Sequence, residues 1–392
     1  MSQIVFRQTL PVIITSFVNK CGDMGMRLFP MLLVEREFTI AQSSMTMGIV
    51  KSAGILAVFF GGILGDILGA RWVTLLSFGI SGVGLSIIPF VEGFGPIALV
   101  GAITVFGQGL IGAPLRLLLI QSVAIGAQKE GLAWLRTGQN SAVLVANGIA
   151  YLASGFGLAF FFIFDAMTAF LAIGVGLRIL PRNSILQSVA SSTGVSGDRT
   201  RSENTLAIAL VTLTITGFML LMEVFFVTAA VQSKRAFGDT GIAKFAQIMM
   251  INTFLCATFN VFAARLFSSI RIACSTGIVM QALAVSLILI FPSIWPLYIV
   301  AVVVQTIGEL GFTSVAQHLL LSLIPRDQRQ GKVYGASLFI QFSGKAVGAA
   351  LAFPLMDWGR GGVIAIFMLA VLAFLVVFSK GWSRLSMANK NL

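Results

Sequence analysis

Residues 158–179 read LAFFFIFDAMTAFLAIGVGLRI, an apolar run of the length that a helix needs to cross a lipid bilayer. The whole chain shares this character, because 57% of its 392 residues are hydrophobic, only 10% are charged and the mean hydropathy is +0.97. Soluble domains carry about 25% charged residues and could not hide so much apolar surface. The composition therefore indicates an integral membrane protein.

Apolar runs bounded by glycine, proline and charged residues divide the chain into twelve segments. Backbone groups cannot remain unpaired in lipid, and runs of this length form helices rather than the shorter strands of a barrel. We therefore predict an all-α fold with twelve transmembrane helices. The predicted spans are 9–34, 43–64, 72–92, 96–122, 137–156, 158–179, 205–231, 243–264, 272–291, 294–320, 334–356 and 361–380.

The longest polar stretch, 181–204, lies between the sixth and seventh spans and is rich in serine, glycine and arginine. It predicts a cytoplasmic linker between an N-terminal six-helix bundle, residues 1–180, and a C-terminal six-helix bundle, residues 205–392. Two pseudo-symmetric bundles joined in this way can rock about a central site.

Lysine and arginine are distributed unequally between alternate loops. With a cytoplasmic N-terminus, sixteen of these side chains fall in the inner loops and tails and four in the outer loops. Because positively charged loops remain in the cytoplasm, we predict that both termini are cytoplasmic. The basic residues are scattered singly rather than gathered in a patch, which argues against nucleic-acid binding despite the net charge of +12.

The three cysteines and the one histidine, His318, form no pattern typical of a metal site, so we expect neither a metal nor a cofactor. Gly61 and Gly62 are not followed by the Lys-Ser/Thr pair of a phosphate-binding loop. Without a nucleotide-binding domain, any work that the protein performs must draw on an ion gradient or on the gradient of a solute.

The loop after the second span reads GGILGDILGAR, residues 61–71. This stretch resembles the signature between helices 2 and 3 of the major facilitator superfamily, with Ile67 in place of the usual basic residue. Glycines let helices approach closely, and a carboxylate near a helix end can pair with charge on the opposite bundle. The resemblance implies a cytoplasmic gate, and its residues are Gly62, Asp66, Gly69 and Arg71.

Two further stretches extend the resemblance. Residues 306–309 (TIGE) and 324–335 (IPRDQRQGKVYG) are similar to the region of spans 10 and 11 in drug:proton antiporters, and 164–171 (FDAMTAFL) is similar to a segment of siderophore exporters. The resemblance implies a secondary active transporter that works by alternating access, is coupled to protons and exports its solute by antiport. We expect a monomer in the cytoplasmic (inner) membrane of a bacterium, with lipid, protons and a small organic solute as its partners.

Each ionisable side chain inside a span costs at least about 2.5–3.5 kcal/mol to insert, so each is a candidate functional residue. Lys20, Asp23 and Arg27 are spaced by three and four residues, which predicts one stripe on the first helix. Two interpretations of this stripe stay open. It forms an internal salt bridge that neutralises Asp23, or it lines a central cavity in which Asp23 exchanges partners or protons.

Five deep cations are the predicted substrate-binding residues: Lys20, Arg27, Lys51, Arg116 and Lys345. Three deep acids are the predicted proton-coupling residues: Asp23, Glu223 and Glu309. A Glu309–Lys345 pair is expected from the neighbouring helices, whereas Glu223 has no evident partner and is the favoured proton carrier. Asp165 and Lys244 fall nearer the outer ends of their spans. The surplus of cations favours a solute with an anionic group over a lipophilic cation.

Two alternatives to proton-coupled export remain. One is an importer or facilitator of an organic anion, such as a carboxylate metabolite or a carboxylate siderophore. The other, a membrane-embedded enzyme, would need clustered Asp, His and Glu, or Ser and His, near one membrane interface. Scattered acids and a single histidine do not supply such a cluster, so we predict that the protein is not an enzyme.

Overall fold

The computed structural model of the chain describes residues 2–124, 128–181, 201–266, 270–323 and 330–377. Within these ranges the regular secondary structure is helical, which confirms the predicted all-α fold. The α-helices are α1 (Ser2–Lys20), α2 (Gly25–Glu35), α3 (Ile40–Leu68), α4 (Ala70–Ile87), α5 (Phe94–Leu110), α6 (Gly112–Ser122), α7 (Gln128–Leu152), α8 (Leu158–Ile179), α9 (Arg201–Phe237), α10 (Gly241–Leu266), α11 (Ile270–Ile290), α12 (Trp295–Leu323), α13 (Gln330–Asp357) and α14 (Arg360–Val377).

Two of the predicted spans are interrupted. The first is split between α1 and α2 by a turn at residues 21–24, and the fourth is split between α5 and α6 at Ile111. Pro114 lies in the first turn of α6, where a backbone N–H would have no acceptor within the helix, so the N–H that proline lacks costs no helical hydrogen bond. Each of the other predicted spans overlaps a single α-helix.

Eight stretches of the described helices are long and apolar enough to cross a membrane, judged by length and composition. The longest of them, Ile208–Phe259, takes in most of α9 and much of α10. Helix α7 does not qualify, because its first half, QKEGLAWLRTGQN, is rich in charged and amide side chains. A multi-pass membrane protein is thereby supported, whereas the twelve-span layout in two bundles stays a prediction.

The helices before and after residues 182–200, which lie outside the described ranges, pack mainly within their own groups. We call α1–α8 the N-terminal group and α9–α14 the C-terminal group. Three helix pairs carry extensive contacts between the groups: α3 with α13, α7 with α10, and α2 with α9. Buried aromatic rings from both groups join one hydrophobic core, including Phe29, Phe162, Phe218 and Phe312.

Within the C-terminal group, α9 and α13 pack almost backbone to backbone. A Cβ atom added at Gly344 would lie 2.9 Å from Thr216 Cγ2, and one at Gly348 would lie 3.1 Å from the Cα of Leu220. Side chains at these positions would therefore force the two helices apart. Glycines that permit such close approach are typical of interfaces between transmembrane helices.

Candidate functional site

A cavity of about 410 Å³, here called the central cavity, lies between the two helix groups. Its walls come from α1, α2, α3 and α5 on one side and from α9, α10 and α13 on the other. Much of the remaining surface is made of methionine, phenylalanine and valine side chains. Six ionisable residues line it: Lys20, Asp23, Arg27, Lys51, Glu223 and Lys345.

The first ionic cluster of the central cavity sits at the break between α1 and α2. Lys20 Nζ lies 3.0 Å from Asp23 Oδ1, and Arg27 Nη2 lies 3.0 Å from Asp23 Oδ2. The prediction of one stripe on a continuous helix is wrong, because the chain leaves the helix at Cys21 and re-enters it at Gly25. The break nevertheless brings the three side chains together. The salt bridge and the cavity lining, which were alternatives from sequence, occur together.

The second ionic cluster joins the two helix groups. Lys51 Nζ in α3 lies 2.6 Å from Glu223 Oε1 in α9, and the Glu223 side chain is only 10% exposed. This contact corrects the interpretation that Glu223 has no partner. The pairing could not be read from spacing, because the two residues belong to different helices far apart in the chain.

Lys345 in α13 completes the charged lining of the central cavity. Its ammonium nitrogen lies 5.4 Å from the centroid of the Phe342 ring, a distance typical of a cation–π contact. Four cations and two carboxylates therefore face the same space, which leaves a formal surplus of two positive charges.

A second cavity of about 190 Å³ adjoins the first and shares Arg27 with it. The predicted proton-coupling residue Glu309 lies here rather than in the central cavity. Its Oε2 accepts hydrogen bonds from Gln305 Nε2 at 2.9 Å and from Asn252 Nδ2 at 3.2 Å. Asn252 also donates to Thr306 Oγ1 at 3.0 Å. The predicted Glu309–Lys345 pair stays a prediction.

The amides around Glu309 were missed by reasoning from sequence, which weighed only ionisable residues inside the spans. Asn252 and Gln305 are largely or fully buried in helices that are otherwise strongly apolar. Buried amides in apolar helices need hydrogen-bond partners, so their presence was a usable signal.

A third cavity of about 230 Å³ lies within the N-terminal group and contains Arg116 and Asp165. Arg116, in α6, is solvent-exposed and is not among the side chains that line the central cavity. Asp165, in α8, is only 4% exposed and lies against the break between α1 and α2. This places Asp165 beside the chain segment that carries Asp23.

The residues of the predicted cytoplasmic gate occupy the α3–α4 connection. Gly69 ends α3 with a φ of +84°, a conformation that glycine adopts without strain. Arg71 is buried and donates from Nη2 to the carbonyl oxygen of Leu177 at 2.7 Å, near the end of α8 in the same helix group. Gly62 faces open space within α3, and the Asp66 side chain lies outside the described part of the structure.

Among the described residues, several contacts between the two groups lie on the side that the predicted orientation places outside the cell. Lys234 Nζ, at the end of α9, lies 3.4 Å from Glu35 Oε2 at the end of α2. Gly48 in α3 and Ala350 in α13 also meet there, and a Cβ at Gly48 would lie 3.6 Å from the Ala350 Cβ. Deeper in, Asn147 Nδ2 of α7 donates to Thr253 Oγ1 of α10 at 3.2 Å.

Comparison with known proteins places this arrangement among membrane transporters by fold. No protein-family model and no curated protein sequence matches the chain. Among solved structures, the nucleoside transporter NupG superposes with a TM-score of 0.72 at 16% identity, covering 95% of this chain and 97% of its own. A POT family transporter in complex with 5-aminolevulinic acid gives 0.71 at 15% identity, covering 95% of each chain.

A bacterial homolog of the human lysosomal transporter Spinster, in an inward-facing and occupied conformation, gives a TM-score of 0.69 at 10% identity. It covers 94% of this chain and 95% of its own length. Identities this low establish likeness of fold over nearly the whole chain. The expected resemblance to major facilitator transporters is therefore confirmed at the level of the fold, and the particular branch stays a prediction.

Proposed function

We propose that the protein is a secondary active transporter that carries a small anionic organic solute by alternating access. The observation that carries this proposal is the central cavity, in which charged side chains from both helix groups face one space between them. A site shared by two groups of helices can open to either side of a membrane when the groups rock against each other. The likeness of fold to several transporters supports a transport protein rather than an enzyme.

The proposed solute class follows from the charge of the central cavity. Lys20, Arg27, Lys51 and Lys345 face only Asp23 and Glu223 among the ionisable groups of the lining. A surplus of positive charge in a low-dielectric cleft attracts anions and repels cations. A volume of about 410 Å³ lies within the range of small-molecule sites, so a carboxylate or phosphate compound of modest size fits it.

The proposed transport cycle begins from the conformation observed here. In the predicted orientation, the Lys234–Glu35 and Gly48–Ala350 contacts close the outer side, which makes this an inward-facing state. The likeness to the inward-facing Spinster homolog supports this assignment. Two six-helix bundles, residues 1–180 and 205–392, joined by the linker 181–204, would form the moving parts.

The proposed coupling to protons centres on Glu223. This carboxylate holds Lys51 across the interface between the helix groups. Protonation of Glu223 would remove its charge, free Lys51 for the solute and weaken one link between the groups. Asp23 and Glu309 are further sites at which a proton could shift the balance between outward- and inward-facing states.

Purified protein in proteoliposomes tests both parts of the proposal. Thermal-shift screening first identifies a solute, with citrate and succinate as anionic probes and ethidium as the cationic probe, since a ligand that binds the folded state raises its melting temperature. Flux of that solute is then measured with and without an imposed pH gradient. We expect anions to stabilise the protein and the gradient to accelerate flux. Stabilisation by ethidium alone would contradict the solute class, and identical fluxes would contradict the coupling.

Direction is a separate part of the proposal. The span 10–11 stretch resembles exporters, so we propose export by proton antiport at a bacterial inner membrane. Import or facilitated diffusion of an organic anion is the second candidate, which the cation surplus of the cavity supports equally. Net solute uptake in the absence of an imposed pH gradient, followed together with the pH inside the vesicles, distinguishes them, because a facilitator equilibrates its solute without proton movement, whereas an antiporter moves protons with every net turnover.

A further inference from the structure

We propose that Asp165 is a second proton-binding site, which exchanges its proton with Asp23 across the break in the first span. This inference deepens the proposed coupling to protons and rests on it. Reasoning from sequence placed the coupling at Asp23, Glu223 and Glu309 and gave Asp165 no role. The contacts of Asp165 in the structure are different from those of the other three acids.

Asp165 is a buried carboxyl group with an unsatisfied oxygen. Its residue is 4% exposed, and its Oδ2 makes no hydrogen bond of standard geometry to a described residue, the Gly25 N–H being the polar group that faces this carboxyl. The ion pairs of the described chain likewise leave Asp165 without a cation within 4.0 Å. A buried carboxylate in this situation is costly, whereas the protonated acid places no charge there and can donate its proton. The geometry therefore favours the protonated acid in the observed conformation.

The break between α1 and α2 packs against the carboxyl group of Asp165. A Cβ at Gly22 would lie 3.0 Å from Asp165 Oδ1, and a Cβ at Gly25 would lie 3.1 Å from Asp165 Oδ2. Asp23 stands between these two glycines in the chain. The carboxylate that binds Lys20 and Arg27 is therefore a near neighbour of the carboxyl that binds neither.

The charged groups around Asp165 come from two parts of the fold. The break supplies Lys20, Asp23 and Arg27, and α6 supplies Arg116 across the third cavity. Helix α4 contributes the neutral Ser81 to that cavity, and α7 contributes the neutral Gln139. Lys20 and Arg27, the cations that precede and follow Asp23 in the chain, are both paired with Asp23 in the observed conformation.

The third cavity offers a path for the proton. Asp23 and Asp165 both line it, and it shares Lys20, Asp23 and Gln108 with the central cavity. A polar space of about 230 Å³ has room for several water molecules with partners in its walls. The solute site and Asp165 are thereby connected through one carboxylate, Asp23.

The transfer is balanced within this cluster. The O–H bond of Asp165 breaks, and its proton passes to the Asp23 carboxylate directly or through a water molecule of the third cavity. Lys20 or Arg27 then moves from the neutral Asp23 to the newly ionised Asp165. The net charge of Asp165, Asp23, Lys20 and Arg27 taken together is unchanged. One ion pair at the break between α1 and α2 is replaced by an ion pair with Asp165 on α8.

Infrared spectroscopy of the full-length protein in lipid tests the assignment, because a protonated carboxyl has a carbonyl absorption separate from that of a carboxylate. We expect such a band at neutral pH, a loss of one carboxyl equivalent in Asp165→Asn and a shifted band in Asp165→Glu. The matched control is Asp239→Asn, at an exposed aspartate outside the cavities, which should leave the band intact. Absence of the band in the native protein, or a band that neither Asp165 variant changes, would overturn the proposal; if Asp165→Asn does not fold, the shift in Asp165→Glu decides.

Flux measurements separate this proposal from the proposed function. We expect Asp165→Asn to lower gradient-driven accumulation at least tenfold relative to Asp239→Asn. Flux of the native protein that ignores the pH gradient would contradict the coupling itself, whatever the infrared result. Native flux that follows the gradient, with equal accumulation by the two variants, would instead overturn only the role of Asp165.

Discussion

At the residue scale, the cations of the central cavity differ in how firmly they are held. Lys20 and Arg27 share one carboxylate, and Lys51 forms an ion pair with Glu223. Lys345 forms no ion pair within 4.0 Å with any described side chain and rests on the Phe342 ring instead. Its charge is therefore the one most available to an incoming anion.

Replacing Lys345 by glutamine should weaken binding of the anionic solute about tenfold, equivalent to about 1.4 kcal/mol. The change removes a cation that the solute would otherwise contact, while keeping much of the side-chain volume. Isothermal titration of the solute identified by thermal shift measures the affinity. Arg235→Gln, at an exposed position near the outer end of α9, is the matched control for loss of one positive charge. Equal affinities of the two variants would contradict a role for Lys345.

Replacing Glu223 by glutamine should lower the free energy of unfolding by about 1–3 kcal/mol, because Lys51 then loses its counter-charge in a partly buried place. The double variant, with Lys51→Gln added, should recover part of the loss, since no unpaired charge remains. Thermal unfolding in detergent gives both values, and their non-additivity measures the pair. If the losses measured for Glu223→Gln alone and for Lys51→Gln alone add up to the loss in the double variant, the ion pair contributes nothing to stability.

At the element scale, the break between α1 and α2 organises the site. It places Lys20 at the end of one helix and Arg27 in the first turn of the next, with Asp23 between them. Tertiary contact with α8 explains why the break carries glycine: a Cβ at Gly22 would meet Thr168 Oγ1 and lie 2.6 Å from the Asp165 Cα. The interruption is therefore fixed by packing between helices.

Replacing Gly22 by alanine should destabilise the protein by about 1–3 kcal/mol, the range for inserting a methyl group into a filled space. The obstacle is the α8 backbone, which cannot move aside as a flexible side chain could. Gly174→Ala, a glycine within α8 itself, is the control, because a Cβ at Gly174 meets nothing within 4 Å. Thermal unfolding of the two variants side by side checks the difference. An equal melting temperature would mean that the break is not held against α8.

The helices themselves could be predicted from sequence, because hydropathy follows from the demand that lipid makes on each residue locally. The break at residues 21–24 could not, since the three charged residues keep helical spacing and the glycines alone do not show what packs beside them. The Lys51–Glu223 pair was hidden for a related reason. Each residue was recognised as deep and ionisable, but only the three-dimensional structure reveals that these side chains of α3 and α9 meet.

The environment of Glu309 shows a different gap between sequence and structure. Its hydrogen bonds come from Asn252 and Gln305, uncharged residues that composition arguments pass over. The contact of Asp165 with Gly22 and Gly25 was also not predicted, because it depends on how α8 packs against the first span.

At the scale of the whole molecule, the central cavity is closed on the predicted outer side by contacts of modest strength. The Lys234–Glu35 pair is partly exposed, and such pairs contribute about 0–1 kcal/mol. The Gly48–Ala350 contact is formed by the smallest side chains.

A disulfide between cysteines placed at Gly48 and Ala350 should stop transport. The 3.6 Å between the two Cβ positions lies within the range of about 3.5–4.5 Å that a disulfide requires. The background carries serine at Cys21, Cys256 and Cys274, so that no other thiol can react. Flux in proteoliposomes should vanish on oxidation and return on reduction. Each single-cysteine variant is a control that should not respond, and continued flux through the oxidised double variant would refute alternating access.

Gly344 and Gly348 let the backbones of α13 and α9 come into contact, and packing this close leaves no space for one helix to slide along the other. The same α13 also contacts α3 of the other helix group, where Gly48 and Ala350 meet. Helix α13 therefore packs tightly against α9 of its own group and contacts α3 across the interface between the two helix groups. Lys51 and Glu223 are paired across this interface, so separation of the groups there must lengthen their 2.6 Å contact. In the proposed transport cycle this ion pair would hold the observed conformation, and neutralising either partner should change the turnover rate.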